Sequence, residues 1–336
     1  MMYGKREVLP ITKPYGVAIW QGKIYVCDVR SRGVTVLDLQ QHVVKAVGIG
    51  GAIEIGKAVD IAILPDGTKY VADTDKHAIV VIDKEDHPVV RFSSKDVDPI
   101  SVAVYGNELF VVDGTGLVVK VLDRATGRYL RTIGSVGTEE GQFTKPLCVR
   151  VDPSGVLFVD DVLTCHVHRF SRDGKFLSMF GQSGNRAGDL VRPKHMSFDS
   201  ARNLYIVDAA FNNVQVFDDQ QKVSGYFGSP GSHPGAMELP AGVYVDQSPE
   251  DLAIFQQYVH PAFQADVLVL VTNQFGPSKV CVYASGHLKP GKTLADIAPS
   301  RAAVASGSAT SAPSTQPLFM PATPATPTTG PARSNR

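Results

Sequence analysis

The sequence predicts an all-β fold, a six-bladed β-propeller of four-stranded blades. Two observations lead to this prediction: a self-similar pattern recurs at roughly 40–50 residues, and its strands are apolar on both faces. The 336 residues carry 33 basic and 33 acidic side chains and are 43% hydrophobic, as in a globular protein. Zero net charge argues against a polyanion-binding protein, and no apolar run reaches the about 18 residues of a membrane span.

One repeat is clearest between residues 146 and 181, where four short apolar runs alternate with turn residues. The first run ends in Asp152 and a Pro-Ser-Gly turn, the second ends in Asp160-Asp161, and the last ends in Phe180-Gly181. The same series recurs between residues 193 and 228. Radial repetition of four-stranded sheets buries strands on both faces, so these repeats are interpreted as propeller blades.

A marker aspartate closes the second strand of each repeat. The six places are Asp28, Asp73, Asp113, Asp161, Asp208 and, in the last repeat, Asn273. Aspartate and asparagine suit this position because their side chains accept a hydrogen bond from the backbone two residues on and close the turn. The last interval is about 20 residues longer than a blade period, which predicts an insertion in blade six.

The insertion, residues 247–265, is predicted to contain a short helix. Ser248 and Pro249 form a helix start signal with acidic residues after it. Apolar residues follow at helical spacing: Leu252, Phe255 and Val259. This amphipathic helix either packs on one end of the propeller or serves as a lid that binds a partner.

The propeller is predicted to span residues 1–290, with its ring closed by an N-terminal strand. Blade six has no obvious fourth strand, whereas residues 6–9 precede the first repeat where other blades have theirs. Residues 291–336 are rich in Ala, Pro, Ser and Thr and are predicted to be a disordered tail. Within this tail, Leu318-Phe319-Met320 is an apolar cluster, and one interpretation of it is a short docking motif.

Over residues 14–283 the chain resembles the NHL-repeat family of six-bladed β-propellers. The shared pattern is a proline, an apolar strand, a D-x-x-G turn, a strand ending in Y-V-x-D, and a closing F-G; blades four and five match best. The chain lacks the family's usual arginine five residues after the marker aspartate and the Asn-His-Leu tripeptide. The resemblance implies a bacterial protein, exported or in the cell envelope if a leader precedes this start, and otherwise cytoplasmic.

The loops between second and third strands indicate a protein-binding surface. They carry large apolar residues where polar ones are expected: Leu163, Phe211 and Phe275. These either form an exposed patch, joined by Arg30 and Arg32 of blade one, or tuck between blades. We therefore predict a monomeric, non-catalytic interaction scaffold. The resemblance implies a multihaem cytochrome or envelope complex as partner, and mixed loop charges argue against nucleic acid.

The alternative is a metal-dependent lyase or lactonase-like hydrolase with its site at the channel mouth. The blade pattern also resembles amidating lyases of this fold, which hold zinc with channel-facing histidines, and a catalytic zinc needs three protein ligands. His195 begins an innermost strand, where it is either a ligand or a polar channel residue. His166 and His168 share one strand face. No cofactor is predicted; zinc or calcium is expected only under this alternative.

Overall fold

Six antiparallel four-stranded sheets, arranged as blades around a ring, form the fold in a computed structural model of the chain. The structure describes residues 11–231, 233 and 235–297, and the backbone of 319–321. The innermost strand of each blade contacts the innermost strands of both neighbours, and blade six contacts blade one in the same way. The six-bladed prediction is therefore confirmed.

The strands of each blade pair in chain order from the centre of the ring outwards. In blades one to three they are β1 Pro14–Trp20, β2 Lys23–Asp28, β3 Val34–Asp38, β4 Val43–Val47, β5 Ala58–Ile63, β6 Lys69–Asp73, β7 Ala78–Ile82, β8 Pro88–Ser93, β9 Pro99–Tyr105, β10 Glu108–Asp113, β11 Val118–Asp123 and β12 Tyr129–Ile133. A short parallel pair, β13 Ser135–Val136 and β14 Gln142–Phe143, lies in the connection to blade four. In blades four to six they are β15 Pro146–Val151, β16 Leu157–Asp161, β17 His166–Phe170, β18 Phe176–Phe180, β19 Pro193–Phe198, β20 Leu204–Asp208, β21 Asn213–Phe217, β22 Val223–Phe227, β23 Pro240–Asp246, β24 Phe263–Asn273, β25 Val280–Leu288 and β26 Phe319–Pro321.

Packing between blades buries the middle strands on both faces, as the continuous apolar runs predict. Every residue of β6, β7, β16 and β20 is buried. One core cluster joins Tyr25 and Val36 of blade one to Ile61 and Val80 of blade two. Since burial of apolar area stabilises by about 25 cal/mol per Å², these contacts between neighbouring blades are the main force that holds the ring together.

Each marker aspartate ends the second strand of its blade and holds two chain segments. In blade two, Asp73 accepts hydrogen bonds from the N–H of Asp75, two residues on, at 3.1 Å, which is the predicted contact. It also accepts from the N–H groups of Gly56 and Lys57 at 2.7 and 2.9 Å. Asp208 repeats this arrangement in blade five. The carboxylate therefore ties its own loop to the connection that enters the blade.

The predicted helix in blade six is confirmed as α1, Pro249–Phe255, followed by a 3-10 turn over Gln256–Tyr258. Ser248 is the N-cap, and its side chain accepts a hydrogen bond from the N–H of Asp251. The Asp251 carboxylate is buried and accepts from the N–H of Gly22 in the turn between β1 and β2. This carboxylate fixes the insertion to blade one.

The apolar face of α1 packs on the propeller, which is the first of the two predicted alternatives. Phe255 and Val259 are buried in a cluster with Val17 and Ile24 of blade one. A helix whose apolar stripe is already covered has no free face of that kind for a partner. Among the described residues, no helix has the length and apolar character needed to cross a membrane.

The fourth strand of blade six differs from the prediction. The expected N-terminal strand, residues 6–9, lies outside the described residues, and β26 occupies the place beside β25. Its backbone pairs antiparallel, with Tyr283 opposite Pro321 and Ser285 opposite Phe319. The nine-residue β25 offers an unpaired edge that attracts a further strand. Both β26 and a short helix α2, Leu294–Ile297, lie in the tail predicted to be disordered. Residues 298–318 and 322–336 are outside the described part, and disorder of the tail stays a prediction.

Candidate functional site

The channel is lined by the six innermost strands, whose third residues form one layer. These residues are Gly16, Asp60, Ser101, Cys148, His195 and Gly242. The two glycines are required by close backbone contact: a Cβ on Gly16 would lie 2.8 Å from the Cα of Asp60, and one on Gly242 would overlap the carbonyl oxygen of Tyr15. Three polar members of the layer, Asp60, Ser101 and His195, are buried and joined through the Asp60 carboxylate, whereas Cys148 belongs to an apolar cluster.

A buried polar network joins five of the six blades at this layer. Arg150, from β15, donates from two guanidinium nitrogens to both carboxylate oxygens of Asp60, each at 3.0 Å. Ser101 donates its hydroxyl to the same carboxylate at 2.6 Å. The Nε2 atom of His195 lies 2.6 Å from Arg150 and 3.0 Å from Asp60. The Nδ1 atom of His195 lies 3.0 Å from the carbonyl of Val243 in blade six.

His195 is neutral in this network. Burial, together with the Arg150 guanidinium, lowers its pKa below the ordinary value. With the ring proton on Nδ1, that atom donates to the carbonyl of Val243 and Nε2 accepts from Arg150. With the proton on Nε2, that atom donates to Asp60 and Nδ1 accepts from the N–H of Val243. Either neutral tautomer therefore finds a hydrogen-bond partner at both ring nitrogens. The two alternatives for His195, a metal ligand or a polar channel residue, stay predictions; the structure shows its ring nitrogens in contact with Arg150, Asp60 and Val243.

Asp60 and Arg150 form a buried ion pair. Burial alone would raise the pKa of Asp60, but Arg150 and then His195 hold it well below its usual range. Burial opposes the charge of Arg150, while Asp60 raises the pKa of the guanidinium further. Both groups are thus charged, and their hydrogen-bonding atoms face each other rather than an open cavity. The arrangement braces the blades against one another.

A second buried carboxyl, Asp160, lies on the neighbouring strand β16. Its Oδ1 accepts from the N–H groups of Leu147 and Cys148, at 3.3 and 2.6 Å, where the pairing of β15 with β16 shifts register. Its Oδ2 is buried without a hydrogen-bond partner among the described residues. Burial raises the pKa of Asp160 to about 7. Asp160 is therefore largely protonated below neutral pH.

Replacing Asp160 by asparagine is expected to change the pH dependence of stability. The folded carboxyl ionises only near pH 7, whereas the unfolded one ionises near pH 4, so wild-type stability falls as pH rises toward 7. Asparagine does not titrate, so the stability of D160N relative to wild type should increase by about 2 kcal/mol between pH 5.5 and 7. Urea denaturation at both pH values measures this. Asp219→Asn, at an exposed carboxyl, is the control; identical pH profiles for D160N and wild type would contradict the prediction.

The other two candidate histidines, His166 and His168, share one face of β17 as predicted, with ring centroids 6.2 Å apart. His168 is 2% exposed, and neither ring nitrogen has a hydrogen-bond partner in the described part of the chain. It packs against three aromatic rings: Phe143, Phe170 and Phe176. Burial lowers its pKa to about 4. Over residues 11–231, 233 and 235–297, no group of three His, Cys, Asp or Glu residues is placed to hold a metal ion.

The predicted partner-binding residues all lie at one end of the propeller, here called the loop face. It comprises the loops between second and third strands and the connections between blades. Leu163 and Phe275 are 63% and 60% exposed, and Phe211 is half-buried. Arg30 and Arg32 are exposed, and Arg32 lies 3.2 Å from Glu54.

The connections between blades add further apolar residues to the loop face. Ile49, Val136 and Val191 are exposed there, and sequence reasoning missed all three. It also missed Asp60, Ser101 and Arg150. A signal for two of these was available: once the innermost strands are aligned at their first residue, Asp60 and Ser101 fall at the same position as His195.

Comparison with known proteins identifies the fold alone. No protein-family model matches the chain, and no curated protein is similar to it in sequence. Virginiamycin B lyase from Staphylococcus aureus has a similar structure (TM-score 0.56, 12% identity, 81% of each chain). So do an auxiliary nutrient binding protein from Bacteroides thetaiotaomicron (0.58, 10%, 81% of this chain and 72% of that chain) and hydrazine synthase from Kuenenia stuttgartiensis (0.54, 13%, 87% and 100%). At such identities these neighbours share the propeller fold and carry no information on activity.

Proposed function

We propose that this chain is a non-catalytic interaction scaffold, an NHL-like propeller that binds a protein partner through its loop face. The observation that carries the proposal is the apolar exposure on that face. Leu163 and Phe275 place most of their side chains in solvent, and Ile49, Val136 and Val191 are exposed on the same face. Large apolar groups gathered on one face mark an interaction surface more often than chance exposure does.

The chemistry of the channel supports a scaffold over an enzyme. A catalytic group needs an atom free to meet substrate, a proton or a metal ion. In the channel layer, Asp60 and His195 direct their hydrogen-bonding atoms to Arg150, Ser101 and the backbone of blade six. These groups therefore serve the integrity of the ring.

A chain of hydrazine synthase shares this fold along its whole length, which supports a partner within an enzyme complex, such as a multihaem cytochrome or another envelope complex. The nutrient binding neighbour likewise supports binding as the role of the propeller.

Changing Leu163 and Phe275 together to serine is expected to abolish partner capture without lowering the melting temperature. Buried apolar anchors at an interface contribute about 2 kcal/mol or more when truncated, so recovery should fall at least about 30-fold. Cross-linking in the source cells, followed by mass spectrometry, measures recovery. The matched control is Leu177→Ser with Tyr226→Ser, two exposed apolar residues on the outer strands β18 and β22. Equal recovery by both variants would overturn the proposal, and a large fall in melting temperature of L163S/F275S would show that these side chains are core.

The metal content of the protein distinguishes the scaffold from the enzymatic alternative, a metal-dependent lyase or hydrolase. Elemental mass spectrometry of the untagged, dialysed protein measures it directly. Near-stoichiometric zinc or calcium would overturn the non-catalytic proposal and direct mutagenesis to His195 and its channel neighbours.

A further inference from the structure

The mouth of the channel on the loop face is surrounded by basic residues. All six innermost strands begin at this face, so the residues that immediately precede them encircle the mouth. These residues are Lys13, Lys57, Asp98, Lys145, Arg192 and Leu239. Four of the six positions are basic and one is acidic, although the whole chain has no net charge.

Lys194 adds a fifth cation, one residue inside the mouth on β19. It is half-buried, and its Nζ lies 3.2 Å from the Oε1 atom of Gln274 and 5.4 Å from the centre of the Tyr15 ring. Burial first, and then the charges of Arg192 and Lys13, lower its pKa to about 8. Lys13, Arg192 and Lys194 are therefore close enough to repel one another.

Within the described ranges, the charged nitrogens of these cations have no carboxylate partner. Among the described residues, no Asp or Glu oxygen lies within 4 Å of the charged nitrogens of Lys13, Lys57, Lys145, Arg192 or Lys194. Elsewhere in the same chain, several buried or half-buried lysines are paired with a carboxylate, for example Lys69 with Asp86 at 2.8 Å and Lys120 with Asp113 at 2.9 Å. The marker carboxylates lie beside this ring but accept from its backbone N–H groups rather than from its side chains. Side-chain cations gathered with no carboxylate within 4 Å repel one another, and a bound anion offsets that cost.

The distribution of the cations favours an extended anion over a small one. Blades four, five, one and two each contribute at least one cation, and blade six, which lies between five and one, contributes Gln274 beside Lys194. Only blade three presents an acid, Asp98, at this ring. The exposed Leu163 and Phe275 belong to blades four and six, within the same arc. A peptide chain bearing several carboxylates would follow this arc, with apolar contacts beside it.

We propose that the channel mouth binds a segment rich in aspartate and glutamate that belongs to the partner of the loop face, an inference that rests on the proposed function. Lys13, Arg192 and Lys194 form the centre of the site, and Lys57 and Lys145 extend it to either side. Complementary charge of this kind speeds association and fixes the orientation of the partner.

The test is binding of a fluorescein-labelled decapeptide of glutamate residues, followed by fluorescence anisotropy at low ionic strength. The variant K13Q/R192Q/K194Q is expected to bind about tenfold more weakly than wild type, because it loses three charge contacts. The control R128Q/K175Q/K222Q removes the same charge from exposed turns at the opposite end and should keep its affinity within about twofold. Added salt should weaken wild-type binding more steeply than that of the triple variant, which keeps only Lys57 and Lys145 of the five cations.

Three outcomes would overturn this inference: no binding of the peptide to wild type, equal weakening by the two triple variants, or tighter binding of a single-stranded RNA of equal charge. Thermal melts of each variant exclude unfolding, and Lys194→Gln alone, expected to weaken binding two- to threefold, serves if the triple variant is unstable. Failure of the acidic-segment inference can be distinguished from failure of the proposed scaffold function. If partner capture still depends on Leu163 and Phe275, the scaffold stands without the acidic segment; if it does not, the scaffold falls whatever the peptide does.

Discussion

Replacement of Arg150 by methionine is expected to lower the free energy of unfolding by about 3–5 kcal/mol, the usual cost of leaving one member of a buried ion pair unpaired. Asp60 is 1% exposed and receives two hydrogen bonds from the Arg150 guanidinium, which carries the positive charge of the pair. Urea denaturation at pH 7 measures the loss. Arg172→Met, which breaks an exposed pair with Glu108, is the control and should cost less than about 1 kcal/mol.

Two further measurements test the reason for that loss. The double variant D60N/R150M removes both charges and should recover part of the stability that R150M alone loses, since the uncompensated carboxylate is gone. In R150M the pKa of Asp60 should rise, so the deficit should shrink as pH falls and the carboxyl takes up a proton. A loss below about 1 kcal/mol for R150M, or a deficit independent of pH, would show that Asp60 does not depend on Arg150.

Replacement of His168 by phenylalanine is expected to remove about 3 kcal/mol of the loss in the free energy of unfolding that wild type shows on acidification. The folded pKa of His168 is about 4 and the unfolded value is near 6.5, so the unfolded chain binds the proton first and wild-type stability falls as pH drops from about 6.5 to 4. Phenylalanine does not titrate, and its ring can pack against the same aromatic rings that surround His168. Denaturation of both proteins across this range measures the difference.

The control for this experiment is His87→Phe, because the side chain of His87 is 74% exposed. Its acid profile should follow that of wild type. Parallel profiles for H168F and wild type would show that His168 is protonated within the fold, against the absence of any hydrogen-bond partner for its ring in the described residues.

Local chemistry explains why the architecture could be predicted from sequence. Marker aspartates such as Asp73 act on the backbone within their own loop, and strands such as β7 are apolar throughout, so both signals are present in a short window. The helix α1 was predictable for the same reason, because Ser248 and Pro249 define its start locally.

Long-range convergence explains what could not be predicted. Tyr283 pairs with Pro321, and a long stretch of chain separates the two strands. The local sequence of neither strand indicates that the other is its partner. The channel network contains one polar residue from each of several apolar strands. Within its own strand, each of these residues is an isolated polar position, and the sequence does not show that they meet. The exposure of the loop residues could not be predicted from the sequence either. Leu163 and Phe275 are exposed while Phe211 is half-buried, although all three occupy corresponding loops.

Each marker aspartate holds the backbone of two chain segments, so the backbone shape of the loop face does not depend on the side chains at the loop tips. Because carboxylates such as Asp208 hold the backbone at both edges of a loop, the side chains at the loop tips contribute little to folding. The strand ends thus form a rigid framework, comparable to that of an antibody domain, and the loop tips are the positions free to vary on it. Substitution at the tips is therefore expected to change the surface of the loop face while the blades keep their fold.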